Sequence, residues 1–95
     1  MSNTDFIVHD KKDNVGVVVV ENTPENQECT GWIMEDDSTI KIKANVKIPL
    51  GHKIALKDFK TGDTIIKYGY DIGKVVAEIK KGDHVHVHNV KTKKW

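Results

Sequence analysis

The chain has one cysteine, two prolines and few aromatic residues, and it contains no long apolar run. Each scarcity removes a class of protein. A lone Cys29 cannot close an internal disulfide, and small secreted domains are ordinarily stapled by several, so a reducing compartment is expected. The longest apolar stretch, VGVVVV at 15–20, is far short of the roughly 20 residues that cross a bilayer as a helix. The opening MSNTDF has no basic segment leading into an apolar run, so a cytoplasmic chain without membrane contact is expected. An excess of one charge is missing too. Lys+Arg 15 against Asp+Glu 14 leaves a formal net charge of +1, and such a field gives no reason to bind nucleic acid.

What the chain has instead is a series of short β-branched runs bounded by Gly, Asn, Asp and Pro. With 38% hydrophobic and 31% charged residues of both signs, its 95 residues support one small globular domain, 1–95, with a modest core. The pattern predicts an all-β fold with short strands at 5–9, 15–20, 29–34, 39–43, 64–68, 74–77 and 84–88. Turn signals fall at Asp13-Asn14, at NTPEN (22–26) and at EDDS (35–38), the last joining a hairpin. At most one short helical turn is expected, in IALKDF at 54–59.

The second half contains a pseudo-repeat: DFKTGDTIIK from Asp58 recurs as EIKKGDHVHV from Glu78, twenty residues later. Each copy sets an apolar anchor, Phe59 or Ile79, before a Gly-Asp turn that feeds a strand. Glycine is suited there because it tolerates positive φ.

Three of the five histidines crowd into HVHVHN at 84–89. On an extended strand His84, His86 and His88 share one face and the valines the other, with alternate residues roughly 6.5 to 7 Å apart. Two such imidazoles can converge on a metal ion, whereas three in a straight row cannot reach one ion without a bend. A further ligand from His9, His52, Asp10 or Asp83 would have to be supplied by the fold. The alternative is an exposed edge strand whose polar residues discourage pairing with another sheet. PLGHKIAL (49–56) and IIKYGYDIG (65–73) place His52, Lys53, Lys67 and Tyr68 beside glycines, where donors gather around a carboxylate or phosphate; solvated strand lysines are the alternative. Tyr68 and Tyr70 share a face if their strand is unbroken. Cys29 has no adjacent base and is not read as a nucleophile. KTKKW at the end reads as a solvated tail with Trp95 as a docking aromatic.

Taken together, His9 in FIVHDKKDNVGVVV, PLGHKIAL, IIKYGYDIG and IKKGDHVHVHN resemble, in order and spacing, the SAF-type domain of altronate and galactarate dehydratases. The resemblance implies a SAF-type β-clip of short bent strands. It also implies a small accessory subunit of a hydroxy-acid lyase that completes or covers the active site of a separate large catalytic subunit. In such lyases the proton beside a carboxylate is removed and water or sulfite leaves the next carbon. The resulting enol becomes a 2-keto acid, and a divalent metal, ferrous iron (Fe2+), stabilises the developing charge. By this likeness His9 and His52 are catalytic, Lys53, Lys67 and Tyr68 bind the hydroxy-acid substrate, and His84, His86 and His88 are metal ligands. A second reading is a stand-alone carbohydrate- or acid-binding module, since fold alone does not fix function.

Overall fold

The computed structural model describes residues 4–86 and 88–92. Eleven strands are present among them: β1 (Phe6–Val8), β2 (Val15–Val18), β3 (Asn22–Thr23), β4 (Glu28–Ile33), β5 (Ser38–Lys43), β6 (Ile48–Pro49), β7 (Lys53–Ala55), β8 (Thr64–Lys67), β9 (Tyr70–Val75), β10 (His84–Val85) and β11 (Val90–Thr92). They form a six-stranded sheet in the order β10-β7-β2-β1-β4-β5, a three-stranded sheet β11-β9-β8 and the pair β3-β6. The fold is all-β. No helix among the described residues is long and apolar enough to cross a membrane. The helical turn expected in IALKDF does not form: Ile54 and Ala55 belong to β7, where their backbone is tied to β2 on one side and β10 on the other. Strand pairing satisfies both edges of this segment, which a single isolated turn would not.

Two apolar clusters fill the interior. Phe6, Val8, Val18, Ile42, Ile48 and Ile54 build the first, while Val15, Phe59, Ile65, Val75, Ile79 and Val85 build the second. Consecutive residues of β7 serve different clusters, Ile54 the first and Ala55 the second, as the two-residue period of a strand requires. β7 is thereby buried on both faces, and Lys53 is drawn inside with it at 5% exposure.

The pseudo-repeat is visible bond by bond. Phe59 and Ile79 form a reciprocal bridge, each N–H donating to the other's carbonyl at 2.8 and 3.1 Å. Around this bridge the two copies exchange contacts. Gly62 N–H donates to Val75 O and Val75 N–H to Asp63 O; twenty residues on, Gly82 N–H donates to Ala55 O and Ala55 N–H to Asp83 O. The turn aspartates play equivalent parts, since Asp63 accepts the Lys60 N–H at 2.8 Å and Asp83 the Lys80 N–H at 2.9 Å. The approximate two-fold relation extends to residues outside the repeat. Asn14 Nδ2 donates to Thr64 O while Asn14 Oδ1 accepts the Ile66 N–H; Asn89 Nδ2 donates to His84 O while Asn89 Oδ1 accepts the His86 N–H. Two asparagines distant in sequence thus bracket equivalent strands.

Gly62 and Gly82 hold equivalent positions with φ of 96° and 91°, yet their surroundings differ. A Cβ on Gly62 would meet nothing within 4 Å, whereas one on Gly82 would run into the Lys43 carbonyl oxygen. We expect Gly62→Ala to cost about 1 kcal/mol, the strain of a side chain at positive φ. Gly82→Ala should cost roughly 3 kcal/mol or more, because β5 must also move. Thermal melting of the two variants checks this, and equal losses would show that the Lys43 contact imposes no extra constraint.

Candidate functional site

His52 ends a tight turn between β6 and β7. Gly51, at φ 84°, donates its N–H to Val18 O, Val18 N–H donates to His52 O, and His52 N–H closes the turn on Pro49 O at 3.1 Å. The imidazole is therefore fixed at the start of β7, next to β10, where His84 pairs with Ile54 and Val85 with Lys53. β10 ends at Val85 rather than running to position 88, and the Asn89 side chain bonds the backbone of His84 and His86 on either side of Val85. Asn89 and Val90 N–H both donate to His86 O, completing the reversal. Val85 is buried as expected, and position 87 lies outside the described residues.

The bend brings three rings together. His52 Nδ1 and His84 Nε2 share a hydrogen bond of 2.7 Å, the His52 and His86 rings stack with centroids 4.0 Å apart, and one nitrogen from each of the three residues lies within 4.8 Å of the others. His88 stands apart from this group. Its ring tilts against His84 with centroids 5.0 Å apart, so the cluster of three holds His52 where the family resemblance implied His88.

The ring environment favours neutral imidazole. Burial pushes His84 down to about 4, helped by His52, His88 and His86, and burial also lowers His86, helped by His52 and Lys53. A neutral ring keeps a lone pair for a metal ion, and bonds of roughly 2.0 to 2.1 Å would need the nitrogens, which lie within 4.8 Å of one another, to close in and the His52–His84 hydrogen bond to open. The donor set fits a divalent transition metal.

Beyond the triad, Lys53 is pushed down to about 8, first by burial and then by the neighbouring Lys67 ammonium. Lys67 Nζ lies 4.8 Å from the centre of the Tyr68 ring, and the His9 ring stacks on Tyr68 with centroids 4.0 Å apart. Burial and then Lys67 lower the His9 pKa, with Asp13 opposing them. Tyr68 adopts φ 53° in the turn between β8 and β9, where Asp13 Oδ1 accepts the Gly69 N–H at 2.9 Å. Tyr68 thus lies in the turn and Tyr70 opens β9, so the two do not share a strand face, and both are exposed. The eight residues selected by sequence fall into two groups, His52-His84-His86 with His88 beside it and His9-Lys67-Tyr68, and Lys53 is coupled electrostatically to both.

Sequence alone singles out neither Asn89 nor a cleft beside the histidines. The cleft, about 410 Å³, opens beside His84 and His88 and is walled by Lys47, Glu78 and Asp83. Asn89 ends HVHVHN and is a turn-forming residue type, a signal that argues for a bend at this point. The Trp95 tail lies outside the described residues.

The fold and site define a small all-β domain with one cluster of three imidazoles, His52, His84 and His86, and a second group of His9, Lys67 and Tyr68. The chain belongs to the altronate/galactarate dehydratase SAF domain family, which it matches over residues 4–93. It is 54% identical over 91 residues to the (2R)-sulfolactate sulfo-lyase subunit alpha of Chromohalobacter salexigens, covering 96% of this chain and 97% of that one. The corresponding subunit of Paracoccus pantotrophus is 52% identical over 63 residues, covering 66% of this chain and 94% of that one. The altronate dehydratase of Bacillus subtilis is 48% identical over 87 residues, 92% of this chain but 16% of that enzyme. The same domain therefore occurs as a subunit of its own and as a small part of a longer enzyme.

The depressed His84 pKa sets a pH dependence. Unfolded histidine titrates near 6.5 and folded His84 near 4, so between these values the unfolded chain binds more protons and stability rises with pH. The metal-free protein should be most stable above pH 6.5 and should lose stability as the pH falls toward 4. Melting temperature against pH checks this for the parent and for His84→Asn; an unchanged slope in the variant would move the effect to other groups.

Proposed function

We propose that the chain is the small subunit of a two-subunit hydroxy-acid lyase, acting on sulfolactate with a large catalytic subunit. The observation that carries the chemistry is the convergence of His52, His84 and His86, which supports a divalent-metal site on this chain. Ferrous iron suits an imidazole donor set. When bound, the ion would stabilise negative charge developing on the substrate carboxylate.

In the reaction the C2–H bond breaks, its electron pair forms the C2=C3 bond, and the C3–S pair departs with sulfite; the enol then becomes pyruvate. The chain's own groups fit parts of this sequence. His9, whose pKa burial and Lys67 lower, would accept the proton in this scheme, and Lys53 and Lys67 would offer ammonium groups to a carboxylate. Tyr68, stacked on His9, orients that ring. The place of His52 within the triad makes it a ligand in this scheme rather than a base. Sulfite leaves with its electron pair and needs no proton, but the enol takes a proton at C3 and loses its O–H proton to become pyruvate, and the large subunit would supply the acid.

Two measurements test the proposal. The isolated chain should release no sulfite from sulfolactate, and adding the large subunit from the same source should restore turnover. With His84 and His86 both replaced by Ala, kcat/KM of the reconstituted enzyme should fall roughly 100-fold or more while folding persists. Turnover by the isolated chain, or full activity in the double variant, would refute the assignment.

Iron dependence is checked separately. Chelation should abolish activity, and ferrous iron should restore it in the parent but not in the double variant. Recovery in both would place the metal on the large subunit.

A further inference from the structure

We propose that the cleft beside the triad seats the second anionic group of a small dianionic acid, with Lys47 and His88 as its binding residues. This rests on the metal and lyase reading above and specifies where the far end of the substrate lies.

His84 belongs to both features: its ring is in the triad, and it also lines the cleft. The neighbouring His88 ring, tilted 43° against it, stands on the cleft side and outside the metal group. A ligand whose carboxylate reaches the triad therefore extends past His84 toward His88.

The cleft walls contain both signs of charge, and the carboxylates, though still charged, hold partners of their own. Asp83 accepts from the Lys80 N–H and from Asn45 Nδ2, at 2.9 and 3.0 Å, and Glu78 pairs with Lys80 Nζ at 3.6 Å. The Asn89 amide is spent on His84 O and His86 N–H. Lys47, in contrast, is exposed and has no carboxylate within ion-pair distance among the described residues. What the cleft offers a ligand is thus an ammonium and an imidazole, a cationic and donor pair suited to sulfonate or a second carboxylate. Its volume of about 410 Å³ is ample for an acid of three to six carbons. Val46 and Ala77 add apolar wall that would pack against the carbon chain.

The test uses the full chain and two probes, sulfolactate as dianion and lactate as the monoanion lacking the sulfonate. Binding is followed by calorimetry and by the imidazole NMR signals, with and without zinc, and zinc affinity is measured on its own. Sulfolactate should shift the His88 signals, and Lys47→Gln should weaken sulfolactate about tenfold, the loss of one charge-assisted contact, while leaving lactate and zinc binding unchanged. Equal weakening of lactate, no weakening at all, or shifts confined to His9 would overturn the proposal. Absence of any His88 response at millimolar sulfolactate would overturn it as well. If zinc fails to bind while His88 still responds and Lys47→Gln still discriminates, the metal reading falls and the cleft stands. Normal zinc binding with a silent His88 would instead keep the metal reading and remove the cleft.

Discussion

The Asn89 side chain is the contact on which the site depends. Its amide donates to His84 O at 2.8 Å and accepts the His86 N–H at 3.0 Å, so it ties the backbone on either side of Val85 to the turn that follows. A straight strand would leave three imidazoles in a row with no common point. Ending the strand at Val85 lets the next residues swing, and His86 stacks on His52, which a separate turn has delivered to the same place. Each of these hydrogen bonds is worth only about 1 kcal/mol in stability, but together they fix the backbone that carries two of the three imidazoles.

The approximate two-fold relation explains how a domain this small builds two such brackets. Asn14 does for Thr64 and Ile66 what Asn89 does for His84 and His86, and the Gly-Asp turns of the two copies lock onto each other's strands. The scaffold is doubled, whereas the chemistry is not. Positions related by twenty residues to His52, Lys53, His84 and His86 hold Ile72, Gly73, Thr64 and Ile66. The strand pair that brings His52 beside His84 and His86 thus carries the imidazoles, and its counterpart holds apolar and small residues instead. The apolar half still contributes, because the turn after β8 holds Lys67 and Tyr68 against His9.

Much of this is legible in the sequence, for definable reasons. All-β character follows from β-branched runs and turn residues, and the Gly-Asp repeat reports a real structural duplication because both copies need the same positive-φ turn. The hidden features are those made by contacts distant in the chain. β7 resembles a helical turn in sequence because a three-residue strand has no periodicity to detect; its identity comes from β2 and β10 on either side. The partner of His84 cannot be chosen between His9 and His52 without knowing that the 49–52 turn docks on Val18. The equivalence of Asn14 and Asn89 is equally invisible, because each lies outside the repeated segments.

Electrostatics links the two residue groups into one field. No carboxylate belongs to the metal group found among the described residues, and the charged neighbours that act on the two groups include lysines: Lys53 acts on His86, while Lys67 acts on both Lys53 and His9. Those lysines disfavour protonated imidazole, which keeps the nitrogens available for coordination. Once a divalent ion occupied the triad, the same lysines would repel it, and burying several positive charges together is costly unless anions compensate them. An anionic ligand removes that cost. Metal and acid should therefore bind with positive coupling, each improving the other, and a dianion should gain more than a monoanion. In the proposed scheme an acid substrate would take the place that a carboxylate ligand fills in other metal sites.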